Sequence, residues 1–181
     1  LGIPTGVLAA VKRGTFWDYI ARGVAIIGQG APPFVIGLLL IVIFAVWLQD
    51  TPFELPAAGR PPQFNIKTYI LPCIALGWPA AAGLMRLTRS AMLEVLDSEF
   101  VKLARAKGVG WNKVIYNHAL KNALITPLTS ALLLFSGWLN GALVIEIIFG
   151  WPGIGYDALF TAVNDNDFPL LQGTVFFFVI I

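Results

Sequence analysis

Five cations, Lys102, Arg105, Lys107, Lys113 and Lys121, fall within twenty residues of one another, the densest concentration of polar chemistry in the chain. Their chemistry is that of a binding surface. Charges cost a few kcal/mol each at a bilayer centre, so the stretch Ser98 to Asn122 cannot sit in hydrocarbon. Elsewhere the reactive residue types stand alone. His118 is the single histidine and Cys73 the single cysteine. That excludes a disulfide framework within the chain and any cysteine-based zinc site, and it makes His118 a packed helix-face residue rather than a metal ligand. Glu146 stands three residues before the end of an apolar run, where an ionisable side chain is a functional candidate by default. Asn140 precedes it by about one and a half turns. The loop G-x-x-x-x-G-K-[ST] is missing, as are H-E-x-x-H, G-x-S-x-G and C-x-x-C. No catalytic residue, metal or cofactor is expected, and any ATP-driven step must draw on another polypeptide.

The cations ride on a patterned segment. Phe100, Leu103 and Ala104 are spaced i, i+3, i+4, so one face of a short helix is apolar. Arg105 and Lys107 load its last turn, and Gly108 follows where a left-handed cap is wanted. After Gly108-Val109-Gly110, Asn112 is expected to cap a second helix whose apolar face carries Trp111, Val114, Ile115, His118 and Ala119. The prediction is helix, glycine turn, helix, with an apolar stripe left over. An ordinary positive-inside loop would account for the charge but not for the stripe, which needs a partner.

The surroundings are those of a membrane protein. Of 181 residues, 57% are hydrophobic and 12% charged, with mean hydropathy +0.78, where a soluble domain is about a quarter charged. Thirteen Phe and six Trp suit lipid-facing surface and interfacial belts. A net charge of +2 gives no reason to expect nucleic acid binding. Leu1 to Val11 reads as the closing turns of a spanning helix. A basic loop, Lys12 to Arg22, follows with Phe16, Trp17 and Tyr19 as anchors. Val24 to Leu48 is a crossing of roughly 37 Å, which Pro32 and Pro33 should break or kink near its start. Gln49 to Asn65, with Pro52, Pro56, Gly59, Pro61 and Pro62, is a loop. Ile66 to Met85 is a short span interrupted by Pro72, Gly77 and Pro79, and a linking helix runs through Met92, Leu93, Val95 and Leu96. Ala123 to Phe149 is expected to be the longest span. Gly150 to Asp167 is loop, and a last span begins at Pro169. Both ends, Leu1 and the run TVFFFVII, are expected to be truncations of longer helices. Pro72, Pro79 and Pro127 are candidates for hinges or static kinks, the static kink being the commoner case.

Orientation follows from the Lys and Arg count. Ten fall on the side holding Lys12 to Arg22 and Arg86 to Lys121, against two, Arg60 and Lys67, on the other. Residues 86–122 are therefore expected in the cytoplasm, and the proline-rich and acidic loops outside.

The wording of several stretches is also familiar. ARAKG, HALKNALITPL, VIEIIFGWPGIG and NDNDFPLLQG, in this order, resemble the permease subunits of ABC importers of the bacterial or archaeal cytoplasmic membrane, within them the dipeptide, oligopeptide and nickel branch. The wider superfamily's loop has E-A-A, glycine four residues after the second alanine, then I-x-L-P. Here Lys102-Leu103-Ala104 replace E-A-A and only Ala104, Gly108 and Leu120 match, which points away from the sugar and amino-acid branches. The resemblance implies an all-α, polytopic, type I permease fold in one transmembrane domain over 1–181, with about five segments, the first and last cut short. It implies that 86–122 holds a coupling helix that docks on an ATP-binding subunit through Glu99, Ala104, Arg105, Ala106, Lys107 and Gly108. The implied partners are a second, related permease subunit, two ATP-binding subunits and an extracellular or periplasmic solute-binding protein. The implied cargo is di- or oligopeptide, with nickel chelates and oligosaccharides carried by close relatives.

Two sets of residues keep alternatives. Asn140 and Glu146 either line the substrate path or serve locally, Asn140 by a helix-to-helix hydrogen bond and Glu146 by reaching the outer interface. Trp151-Pro152-Gly153-Ile154-Gly155 either makes a tight turn packing under the outer gate or, with Asp157, Asp165 and Asp167 supplying salt-sensitive contacts, a docking surface for the binding protein. A self-sufficient secondary transporter or channel is the rival function. It would need ion-coupling charges at mid-membrane, and the spans hold almost none apart from Glu146.

Overall fold

A computed structural model describes residues 1–56 and 65–180, except for the side chains at 136 and 139–141. Gly59, Arg60, Pro61, Pro62 and the Asn140 side chain lie outside the described residues. Among the described residues all regular structure is helical. In chain order the α-helices are α1 (Gly2–Val11), α2 (Phe16–Gly30), α3 (Pro33–Ile41), α4 (Ile66–Leu96), α5 (Glu99–Ala106), α6 (Trp111–Lys113), α7 (Leu120–Ala123), α8 (Ile125–Phe149), α9 (Thr161–Asn164) and α10 (Phe168–Ile180). Wider-wound π turns fill Val42–Trp47, Val114–Ala119 and Ile154–Phe160. The chain forms two compact units, one of Leu1–Gly30 with Pro79–Leu134, the other of Ala31–Trp78 with Phe135–Ile181.

Prolines act where their missing N–H matters and are absorbed where it does not. The Val24–Leu48 stretch breaks before Pro33, with α2 ending at Gly30 and α3 starting anew at Pro33. It is not one straight crossing. The basic loop expected over Lys12 to Arg22 shrinks accordingly, because α2 already begins at Phe16. Pro72 and Pro79, by contrast, sit inside α4 without ending it, and α4 with its 31 residues is longer than the 25-residue α8. Each proline removes a single backbone hydrogen bond, a loss that spanning helices tolerate when neighbours are well packed. Pro127, expected inside the Ala123–Phe149 span as a hinge or static kink, falls in the first turn of α8, where no intrahelical N–H is called for. Ile66–Leu96 is the one described helix long and apolar enough to cross a membrane alone. Counting each of two bent pairs as one span raises the number to three.

In the first unit, α1 and α4 meet backbone to backbone. A Cβ on Gly2 would fall 2.4 Å from the Ala81 carbonyl oxygen, and one on Gly6 would fall 2.6 Å from that of Met85. Gly2-Ile3-Pro4-Thr5-Gly6 is thus a G-x-x-x-G contact, the device by which apolar helices approach without bulky side chains between them. Below it a core of Val7, Ala10, Met92, Val101, Val114, Ile115, Ala119 and Ala123 joins α1 and the end of α4 to the segment after it. In the second unit, Ile36, Leu40, Leu71, Ala75, Ile145 and Phe149 unite α3, α4 and α8.

One ion pair organises the first unit. The carboxylate of Asp18, in the first turn of α2, is fully buried. Arg89 of α4 donates to it twice, Nε to Oδ1 at 2.8 Å and a terminal nitrogen to Oδ2 at 2.9 Å. The backbone N–H of Gly14, itself at φ +77°, donates to Oδ2 at 3.0 Å. The Arg89 fork and the Gly14 amide thus take up lone pairs of the buried carboxylate. Asp18→Ala leaves Arg89 without its counter-ion and is expected to cost roughly 3 kcal/mol. The check is the thermal unfolding midpoint in detergent, which Asp18→Ala with Arg89→Leu should partly restore.

Candidate functional site

The segment from Glu99 to Ala123 folds as a hairpin rooted in the core of the first unit. Val101, on the inner face of α5, is buried, and Ala104 packs beside it. The turn closes by paired backbone bonds: Gly108 N–H to the Arg105 carbonyl at 2.9 Å and Val109 N–H to the Ala104 carbonyl at 3.2 Å. Gly108 has φ +78°, and Val109 returns to the core next to Ala104. This is a Schellman cap, with its hydrophobic contact in place. A Cβ on Gly108 would meet nothing within 4 Å, so backbone conformation, not space inside the chain, calls for glycine.

The second arm differs from expectation. Gly110, extended at φ −60° and ψ 143°, is the N-cap, and Asn112 lies inside the helix it was expected to cap. From Val114 the winding opens into a π turn, which carries Val114, Ile115 and Ala119 into the core and leaves His118 half-buried. Arg105 lies over the Trp111 ring, 5.0 Å from its centroid, and ties the two arms together.

The apolar stripe is divided. Phe100 and Leu103 are 45% and 57% exposed, while Ala104 turns inward, where it had been grouped with them. The reason is Val101: a 3.6-residue period leaves Ala104 between Phe100 and Val101 on the helix surface, and the core that takes Val101 takes Ala104 with it. Glu99, Arg105, Ala106, Lys107 and Gly108 are exposed around that outer face. Lys102 bonds Glu99 at 2.8 Å, an exposed pair that raises the lysine's proton affinity and contributes little to stability. The hairpin therefore brings all six expected docking residues onto one helix and its turn, with Ala104 as the inward member.

In the second unit, Glu146 is engaged locally. Its carboxylate accepts the Gly155 N–H at 2.7 Å. A Cβ on Gly153 would fall 2.4 Å from that carboxylate, and one on Gly155 would fall 2.7 Å from the Leu143 backbone. The chain reaches this position through a second Schellman cap: Gly150, at φ +58°, donates to the Ile147 carbonyl and Trp151 N–H to the Glu146 carbonyl at 2.8 Å. The Trp151 ring packs edge-on against Tyr69 at 4.3 Å. Asp157, Asp165 and Asp167 are exposed, and Asp167 also caps α10 by accepting the Leu170 N–H at 3.0 Å.

Residues 2–181 match the family described as the inner membrane component of binding-protein-dependent transport systems. The chain belongs to this family of permeases. Among its relatives is the oligopeptide transport system permease protein OppB of Salmonella typhimurium, 41% identical over 174 residues, covering 94% of this chain and 54% of that protein. The dipeptide transport system permease protein DppB of Alkalihalophilus pseudofirmus is 39% identical over 199 aligned residues, covering 97% and 59%. DppB of Escherichia coli K12 is 37% identical, covering 97% and 58%. The chain thus spans just over half the length of these curated relatives. Membership makes it a membrane permease component and not itself an enzyme.

Sequence reasoning about this permease missed Gly2, Gly6 and the Asp18–Arg89 pair. The G-x-x-x-G spacing was a readable signal for the first two; the third pairs residues 71 positions apart and had none. Two outcomes follow from the caps. Gly108→Ala must hold a Cβ at φ +78° and is expected to cost about 1–2 kcal/mol, with Gly108→Asn costing less. Equal losses in unfolding midpoint would mean that the left-handed conformation is not what Gly108 supplies. Glu146→Ala strands the Gly155 N–H, at about 1–3 kcal/mol, and should raise hydrogen exchange across 150–160, whereas Glu146→Gln keeps an acceptor and should not.

Proposed function

We propose that this chain is the translocating part of an ATP-driven importer of di- or oligopeptides, with the Glu99–Lys107 arm as the element that receives force from an ATP-binding subunit. The observation that carries the proposal is the pairing of opposite faces on one short helix. Val101 and Ala104 root it in the first unit's core, while Phe100 and Leu103 stay exposed amid Arg105 and Lys107. An apolar pair ringed by cations suits a groove with a hydrophobic floor and an acidic rim, where the apolar contacts supply affinity and the charges set register. Because α5 is bound to α1 and the end of α4 by buried side chains, a push on Phe100 and Leu103 moves those helices with it. A flexible loop would absorb the push.

The rest of the assembly follows from this role. Two permease subunits, this one and a related copy, enclose the path; two ATP-binding subunits close on the cytoplasmic side and drive a two-state outer gate. A solute-binding protein delivers cargo on the opposite side, facing Trp151, Asp157, Asp165 and Asp167 in the stretch that was expected to be loop and is largely helical, Ile154–Phe160 and α9. Peptides are the cargo because OppB and DppB carry oligopeptide and dipeptide in their names. Asn140 is assigned to the path. The hydrogen bond from Gly155 supports a positioning role for Glu146, holding the turn beside that path rather than touching cargo.

Leu103→Asp tests the docking role. The variant is expected to insert and to keep its unfolding midpoint, since Leu103 has little packing to lose. It should lose about 2 kcal/mol of ATP-binding subunit affinity, roughly thirtyfold, and peptide uptake with it. Gly108→Arg should act in the same direction. Undiminished co-purification of the ATPase with both variants overturns the assignment.

A further inference from the structure

Within the first unit, α2 is amphipathic in the reverse of the soluble sense. Asp18, Arg22, Ala25 and Gln29, spaced i, i+4, i+7, i+11, form its inner side, where Asp18 bonds Arg89 and Gln29 accepts a hydrogen bond from Arg86. Phe16, Ile20, Val24 and Ile27, spaced i, i+4, i+8, i+11 on the opposite side, are all exposed. An open cleft of about 590 Å³ lies along the inner side, lined by Arg22, Ile26, Gln29, Arg86, Arg89 and Ser90.

The charges of this cleft do not balance. Arg22, Arg86 and Arg89 face one carboxylate, Asp18, which leaves two positive charges over. Arg89 takes both carboxylate oxygens. Arg22 Nε, 3.4 Å from Oδ1, is buried and has no aligned hydrogen-bond partner. Arg86 is exposed, donates to the neutral Gln29, and has no ion pair among the described residues. We propose that this cleft binds the phosphate headgroup of an anionic phospholipid, with Arg86 and Arg22 as its main ligands. Guanidinium forks match phosphate oxygens in pairs, and basic pockets between helices near the membrane surface recruit acidic headgroups.

Lipid is the occupant that the cleft's borders favour. Ile26 on its rim is 63% exposed, and the stripe Phe16, Ile20, Val24, Ile27 runs down the lipid side of the same helix, so acyl chains have an apolar surface beginning at the headgroup site. Trp17 and Tyr19, 59% and 61% exposed at the start of α2, are the aromatic anchors of a membrane interface. The inference rests on the membrane placement of α2 and not on the ATPase docking or the cargo, so the docking variants leave it untouched.

The test uses the full-length permease in its assembled transporter, by native mass spectrometry with dioleoylphosphatidylglycerol and dioleoylphosphatidylcholine. The expected result is phosphatidylglycerol held about tenfold more tightly, a preference abolished by Arg86→Gln and partly kept by Arg86→Lys. Arg13→Gln removes a surface cation paired with Asp97 and should leave the preference unchanged. Arg86→Gln spares the Asp18–Arg89 pair and should keep its unfolding midpoint; if it does not, Ser90→Trp, which fills the cleft from an exposed position, must abolish the preference instead. Equal retention of both lipids, or an undiminished preference in Arg86→Gln, overturns the proposal. So does displacement of the lipid by excess inorganic phosphate, which would mark a free-anion site. Loss of a co-purifying subunit from Arg86→Gln with lipid retention unchanged would mark a protein contact, and overturns it equally.

Discussion

The buried carboxylate of Asp18 sets the terms for the first unit. A charge in such surroundings persists only if its lone pairs are taken up and an opposite charge is fixed beside it. Arg89 meets both demands with a two-point fork, and the Gly14 amide takes part of what remains. The pair is not to be credited with net stability, since removing two charges from water offsets much of their attraction. Its consequence is geometric. It fixes the rotation of α2 about its axis, because only one face of α2 can bring residue 18 to residue 89. With that face inward, the apolar residues of α2 point away from the protein, which suits a helix whose surroundings are lipid.

The same economy recurs where helices end. α5, α8 and α9 each stop on a left-handed residue, Gly108, Gly150 and Asn166, and in each the next N–H reaches back to a carbonyl of the last turn. Such caps use up carbonyls that would otherwise need water, and they turn the chain sharply in one residue. At the end of α8 the device carries an addition. The chain doubles back closely enough for the Glu146 side chain to meet the Gly155 N–H, and only glycine leaves room at 153 and 155. A carboxylate late in an apolar helix therefore has a local reason to exist that is independent of any cargo.

Packing also separates two jobs within the hairpin. Val101, Ala104 and Val109 belong to the chain's own core, whereas Phe100 and Leu103 have no counterpart among the described residues of the first unit. The smallness of Ala104 is explained from within, by its place against that core. The smallness at Gly108 is explained by its backbone angle, and the open space around it is left for whatever meets the turn from outside. A surface that is rigid beneath and apolar above is suited to transmitting displacement.

Composition and the apolar runs were enough to read a membrane chain of spanning helices, and the spacing around Gly108 a cationic helix–turn–helix within it. Those properties depend on what each residue is, and on near neighbours. The glycine cap at 108 was legible for the same reason, since its hydrogen bonds close within six residues. The proline break before α3 was equally local, but the uninterrupted course of α4 was not, because whether a helix survives a proline depends on what packs around it. The facing of α5 was misread at Ala104 because two overlapping apolar stripes fit the spacing, and only the position of the core chooses between them. Glu146 with Gly155 lies nine residues apart but depends on how sharply the chain turns after Gly150, which residue types alone did not give. Asp18 with Arg89 and the cleft along α2 were decided by the tertiary structure alone, because both join groups on distant helices, and helical period carries no information about which face of a distant helix will be met.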